Sequence, residues 1–300
     1  MNPRQLGVIG AGVIGVGVVQ DLAQTGHDVV VVEIDETKLR GAEKTIRRNI
    51  RLHHVMADTD KPLDVKEVMG RIRFTKDAHD LRDCEFIVEN VPEDWNTKKR
   101  VYESIDQICA RSSIFAANTS VIPITKIAAA TNRASQVIGM HFMNPVPLKP
   151  VVEVIRGYHT SELTIEVATQ LLSQMSKSAV VVNDSPGFVA SRVLMLTINE
   201  AAYLVHEGVA AFDDVDTIFK ECIGHAMGPL ETADLIGIDT VLRSIETLWS
   251  DFKDSKYRPC PLLGKMEAAG LLGRKSGQGF YSYAARSSTQ SNNGSDNGRS

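Results

Sequence analysis

A chain of 300 residues has room for about two domains of ordinary size. Its hydrophobic fraction of 43% and charged fraction of 23% are those of a globular chain and exclude a disordered one. Lys and Arg number 33 against 37 Asp and Glu, and the net charge of -4 argues against a chain-wide electrostatic footprint for nucleic acid.

Leu6 to Val19 is apolar, follows Arg4, and superficially resembles the core of a secretory signal. It is too short to span a bilayer, and its five glycines at structured spacing fit a strand, a turn and a helix. Leu6 to Ile9 reads as a buried strand and Val13 to Gln24 as a helix ending at Gly26. Val29 to Val32 is a second strand, β-branched throughout, as expected where both faces are covered. A polar helical arm from Glu36 to about Arg71 follows, broken around Asp58 to Pro62. Strands Phe86–Val88, Ile114–Ala116 and Val137–Met140 then alternate with helices Lys98–Ala110 and Ile124–Ala129, which predicts βαβ units and a mostly parallel, doubly wound sheet. Val151–Arg156 and Ser178–Asn183 add two extended runs around a helix from Thr164 to Met175.

The pattern changes at Ser185-Pro186-Gly187, where Ser before Pro predicts a capped helix start and a domain boundary near Asp184. Beyond it the expected helices are Phe188–Glu207, Phe212–Cys222, Pro229–Asp251 and Leu262–Ala269, an all-α second domain ending near Tyr283. The first of these is apolar on more than one face, so it is expected to be buried in its domain or in a subunit contact. Ala284 to Ser300 reads as a disordered tail. Cys84, Cys109, Cys222 and Cys260 show no C-x-x-C pairing, so no metal site is expected and a reducing, cytoplasmic setting is.

Gly10-Ala11-Gly12-Val13-Ile14-Gly15 follows the first strand and opens the first helix. Gly10 permits the tight turn, Gly12 the close approach of a pyrophosphate, and Gly15 the packing of helix on strand, with the anion on the amides of Val13 and Ile14. Glu33 closes the second strand about twenty residues on, where a carboxylate accepts from an adenosine ribose and repels a 2′-phosphate. The expected cofactor is therefore NAD.

The sequence resembles the 3-hydroxyacyl-CoA dehydrogenase family, and especially its short-chain members, from Gly7 to Tyr283. The motifs that carry this are Gly7-Val8-Ile9-Gly10-Ala11-Gly12, Asn118-Thr119-Ser120, His141-Phe142-Met143-Asn144-Pro145, Val152-Glu153-Val154-Ile155, Asp184-Ser185-Pro186-Gly187-Phe188 and His225-Ala226-Met227-Gly228-Pro229. Gly273-Arg274-Lys275-Ser276-Gly277 continues the match near the end. The resemblance implies a Rossmann-like NAD domain, a helical domain that forms a homodimer, and oxidation of an (S)-3-hydroxyacyl thioester.

That oxidation needs a base for the hydroxyl proton. His141 ends a predicted strand at the sheet edge where ligands bind in this architecture. Glu153, on the next extended segment, is placed to accept the other imidazole N–H, and Ser120 to hydrogen-bond the reacting oxygen. The resemblance further implies that Glu93 and Lys98 lie near the nicotinamide ribose, that Asn118 and Asn144 line the nicotinamide side, and that Lys275 closes over the cofactor.

Two departures qualify the substrate. Ser191 stands where the family carries an Asn that reaches the histidine and substrate. The arm segment from His53 to Lys61 lacks the lysines that the family tends to place against the adenosine phosphates of CoA, although Arg47, Arg48 and Arg51 remain. These leave open the same chemistry on an acyl-carrier-protein thioester, such as a glyceryl unit. A free hydroxy-acid (gulonate-type) dehydrogenase and a non-catalytic NAD-binding protein complete the alternatives. Neither nucleic acid nor membrane is an expected partner.

Overall fold

In the computed structural model the described residues are 5–56 and 63–283, with backbone only for 53–56. The tail expected from Ala284 to Ser300, and the side chains of the segment from His53 to Lys61, lie outside them. The chain divides into two compact units, Met1–Val193 and Leu194–Ser300.

The first unit is an eight-stranded sheet in the order β3-β2-β1-β4-β5-β6-β7-β8. The strands are β1 (Gln5–Ile9), β2 (Asp28–Val32), β3 (Ile72–Thr75), β4 (Phe86–Glu89), β5 (Ile114–Ala117), β6 (Val137–His141), β7 (Val151–Arg156) and β8 (Ser178–Asn183). Every pairing is parallel except β6 with β7. The order reverses at β1, so the glycine loop after β1 sits at the switch point where such sheets bind ligands. Val29 to Val32 are all buried, as their β-branched run requires of a strand covered on both faces.

Helix α1 (Val13–Gln24) runs back along the sheet at very close range. A Cβ on Gly15 would stand 2.0 Å from the carbonyl oxygen of Gly10, and one on Gly17 would stand 2.9 Å from Cβ of Val146. In α2 (Glu36–Met56), Leu39, Ala42, Ile46 and Ile50 recur at helical spacing and are buried, while Arg40, Glu43, Arg47 and Arg48 face outward. The unit is completed by α3 (Val65–Gly70), α4 (Trp95–Ile108), α5 (Ile124–Ala128), α6 (Glu162–Gln174) and the start of α7 (Ala190–His206).

Two expectations need correction here. Strand β3 lies where the helical arm was expected to end. It is a four-residue edge strand, and pairing with β2 in register from Val29↔Ile72 holds it there. Helix α7 starts at Ala190, not after Ser185. Gly187 (φ +75°) and Phe188 (φ +50°) turn the chain first, closed by Phe188 N–H donating to Ser185 O at 2.9 Å. The first turn of α7 stays with the first unit, because its amides bond to β7.

The second unit holds the rest of α7 with α8 (Phe212–Thr217), α9 (Pro229–Ile236), α10 (Ile238–Phe252) and α11 (Pro261–Ala268). The helix expected from Pro229 to Asp251 is two helices, broken at Gly237 (φ +104°), and α8 ends in a wider π turn over Ile218–Cys222. Buried Asp216 accepts from the amides of Leu230 and Glu231, capping α9. Buried Asp234 accepts from the amides of Phe280 and Tyr281, which ties this segment back to α9. Among the described residues no helix is long and apolar enough to cross a membrane, and no cluster of His, Cys, Asp and Glu could hold a metal.

Candidate active site

His141 is the last residue of β6 and is 5% exposed. Because β7 runs antiparallel to β6, Glu153 is the direct cross-strand partner of His141. Its Oε2 lies 3.0 Å from Nδ1 of the imidazole. On the other side Nε2 lies 3.1 Å from Oγ of Ser120, three residues past the end of β5. With the carboxylate taking Nδ1–H, the network assigns the lone pair to Nε2, facing the hydroxyl.

Glu153 has a second task. Its Oε1 accepts from the amides of Val189 at 2.7 Å and Ala190 at 3.3 Å, so it caps the start of α7 as Ser185 was expected to do. Burial by itself raises the Glu153 carboxyl; the imidazole and these two amides outweigh it and hold the group below its ordinary value. The left-handed turn before α7 also lays the buried Phe188 ring edge-on to the imidazole, with centroids 6.0 Å apart. Ser191 follows in the first turn of α7 and is 7% exposed.

The loop carrying Ser120 is held from below. Glu93 Oε1 accepts from the Thr119 hydroxyl at 2.5 Å and from the amides of Ser120 and Val121, each at 3.0 Å. Asn118 ties three strand ends together: it donates to Asn90 Oδ1 at 2.8 Å and accepts from Phe142 N–H at 3.1 Å. Lys98 is 0% exposed. Its ammonium sits 2.8 and 2.9 Å from the two Glu89 oxygens and 3.0 Å from Asn118 O, a buried brace under the same loop.

The glycine loop is shaped for an anion. Gly10 (φ +91°) occupies a backbone region that favours glycine, and its missing side chain admits Asn90 O, 2.7 Å from where a Cβ would stand. Gly12 has ordinary extended angles, and a Cβ there would meet nothing within 4 Å. No neighbour among the described residues explains that glycine, and a glycine there leaves the backbone open to close approach by a pyrophosphate. The first turn of α1 has no acidic residue and no side-chain cap, which leaves its amides for a phosphate. Glu33 Oε2 accepts from Ala11 N–H at 3.1 Å, placing the carboxylate beside the loop. Val13 (74% exposed) and Ile34 (83% exposed) offer apolar surface on either side, and sequence reading gave no reason to single out Ile34. These features fit a dinucleotide.

A cavity of about 560 Å³ adjoins the loop, lined among others by Gly12, Val13, Lys38, Arg48, Asn144 and Val146. Lys275 belongs to the second unit, where it is ion-paired with Asp239.

Two domain profiles match the chain in order. The 3-hydroxyacyl-CoA dehydrogenase NAD binding domain covers residues 5–185, and the C-terminal domain of the same enzymes covers 187–283. The chain belongs to the 3-hydroxyacyl-CoA dehydrogenase family. It is an NAD-dependent oxidoreductase of that family. A probable 3-hydroxybutyryl-CoA dehydrogenase of Deinococcus radiodurans is 47% identical over 280 residues, 93% of this chain and 100% of that protein. The 3-hydroxybutyryl-CoA dehydrogenase of Bradyrhizobium diazoefficiens is 39% identical over 93% of this chain and 95% of its own length. Among solved structures, the (S)-3-hydroxybutyryl-CoA dehydrogenase of Ralstonia eutropha superposes with a TM-score of 0.88 at 38% identity, covering 94% of this chain and all of that one.

Proposed function

We propose that this protein oxidises a short-chain (S)-3-hydroxyacyl-CoA, 3-hydroxybutyryl-CoA foremost, to the 3-oxoacyl-CoA with NAD. The observation that carries the reading is an imidazole engaged at both nitrogens, by Glu153 on one side and Ser120 on the other, on the sheet edge that also holds the glycine cradle.

NAD supplies the hydride acceptor when bound. The chain's own residues handle the proton. A substrate hydroxyl entering beside Ser120 donates to Nε2 of His141, and the serine hydroxyl turns to donate to the same oxygen as it becomes a carbonyl. The imidazolium that forms is stabilised by Glu153, whose lowered pKa keeps it ionised throughout the neutral range. Glu93, Lys98 and Asn118 hold the strand-end loops in register, and Gly10, Gly12, Val13, Ile14, Gly15 and Glu33 bind the dinucleotide. Asn144 lines its cavity, with Lys38 and Arg48 supplying positive charge toward phosphates. Ser191 is a neighbour of the acyl group.

The working unit in this reading is a homodimer. Val209, Ile218, Ile223, Leu235 and Trp249 in the second unit are between 45% and 66% exposed, an apolar surface that supports pairing with a second copy. Light scattering coupled to gel filtration gives the mass.

The test of the substrate is side-by-side turnover of (S)- and (R)-3-hydroxybutyryl-CoA, the same acyl group on a carrier protein, and free 3-hydroxybutyrate, followed as NADH at 340 nm (the reduced-cofactor band). The expected result is a kcat/KM at least tenfold higher for the (S)-CoA thioester than for any other. Preference for the carrier-bound or free acid overturns the assignment to CoA.

A further inference from the structure

Lys177 stands just after α6, in no motif that sequence reading singled out, and its side chain is only 3% exposed. Its ammonium has three neighbours: Val146 O at 2.7 Å, Lys149 O at 2.7 Å, and Asp21 Oδ2 on α1 at 2.9 Å. Two of its three N–H donors go to the two carbonyls, and the Asp21 carboxylate stands beside them as the counter-charge of a buried ion pair. Val146 and Lys149 bracket a single tight turn over Val146–Leu148.

That turn lies between the end of β6 and the start of β7, outside the ladder. Its own backbone bonds are local, Leu148 N–H to Pro145 O at 3.0 Å and Lys149 N–H to Val146 O at 3.3 Å. The turn and the residues just before it, Asn144 and Pro145, form one wall of the 560 Å³ cavity, facing Lys38, Thr45 and Arg48 of α2. Val146 is 1% exposed and packs where Gly17 leaves room on α1. Polar attachment of this wall to α1 runs through Lys177.

We infer that Lys177 is a positioning residue of the nucleotide cavity: it pins both ends of the Val146–Leu148 turn to the connection between α6 and β8 and so sets the width of the pocket that Asn144 lines. Asp21 balances the buried charge and is the lesser partner. This rests on reading the cavity as part of the cofactor and thioester site.

The two partners can be told apart. Asp21→Asn removes the counter-charge, yet even a neutral amine at Lys177 keeps two N–H donors for the two carbonyls. Lys177→Met keeps the length and removes every donor. Three quantities are measured at a temperature well below unfolding: kcat, KM for 3-hydroxybutyryl-CoA, and NADH Kd by fluorescence titration. Lys177→Met is expected to raise the KM or the Kd at least fivefold with kcat within threefold of wild type, while Asp21→Asn moves neither beyond twofold. Both variants melt earlier than wild type. If Lys177→Met leaves KM and Kd unchanged, or if Asp21→Asn shifts them equally, the pair is an ion pair for stability alone and the inference fails. Should Lys177→Met not fold, Lys177→Leu, which also lacks every donor, is compared on the same scale; a Kd and KM equal to wild type there overturn the inference. Wild-type turnover of the CoA thioester is recorded in parallel. Its absence would refute the substrate, while NADH Kd still reports on the turn.

Discussion

Replacing Glu153 by Gln changes one atom and exposes how the site is wired. The carboxylate offers two acceptor oxygens, one to His141 Nδ1 and one to the amides of Val189 and Ala190. A carboxamide offers one oxygen. The two helix amides are fixed donors, so they hold that oxygen and the NH₂ group faces Nδ1. The imidazole then protonates on Nε2, the nitrogen that must receive the substrate proton. Loss of the charged partner removes about 1.5–3 kcal/mol of charge-assisted hydrogen bonding to the imidazolium, which is roughly 10- to 150-fold in rate. The wrong tautomer adds to this, and kcat is expected to fall by at least about 100-fold. Stopped-flow and steady-state assays of NADH formation measure it, with NADH titration as the control, since Glu153 touches the cofactor loop nowhere. A Glu153→Gln enzyme that keeps more than a tenth of wild-type kcat would refute the wiring.

Further outcomes follow from the same geometry. Gly12→Ala is expected to leave the melting temperature within about 2 °C, because its Cβ meets nothing in the chain. A methyl group in the cradle should weaken NADH binding by the roughly 1–3 kcal/mol of overpacking, about 5- to 150-fold; unchanged affinity in a fluorescence titration would contradict the cradle. Ser120→Ala is expected to lower kcat about 100-fold with NADH affinity intact, as for loss of one donor to a reacting oxygen. Glu153 also sets a pH signature. Its folded-state pKa lies below the ordinary value of about 4.3, so its contribution to stability is complete above that pH and is lost as pH falls through the depressed value. The difference in melting temperature between wild type and Glu153→Gln should therefore shrink below about pH 4, and a constant difference down to pH 3 would contradict the assignment.

Much of the site was legible because it hangs on strand ends. The run Leu6–Ile9, the glycine loop and the helix Val13–Gln24 are legible with the observed helix bounds, since backbone geometry demands Gly10 and Gly15 there. Local pattern puts His141 at a strand end, Ser120 just past one and Glu153 within an extended segment, and the sheet order then brings them together. What local pattern could not give is which neighbour covers a residue. Lys98 sits in the first turn of a polar helix and looks solvated; it is buried because Glu89, at the end of a strand, waits beneath it. Ser185 before Pro186 is an ordinary helix start, but a carboxylate from β7 takes over the capping and moves the helix to Ala190. Strand β3 is four residues long with one buried side chain, Ile72, too weak a signal without its partner β2. Lys177 carried no local signal at all, since its three acceptors come from α1 and from a turn outside any motif.

Proton transfer turns on His141 as the base, and His141→Gln tests that role most directly. A general base contributes about 10²–10⁴ in rate, so kcat for 3-hydroxybutyryl-CoA is expected to fall by about three orders of magnitude, with NADH Kd within about twofold of wild type. A variant that turns over at more than a tenth of the wild-type rate, with the cofactor still bound, would show that the proton goes elsewhere.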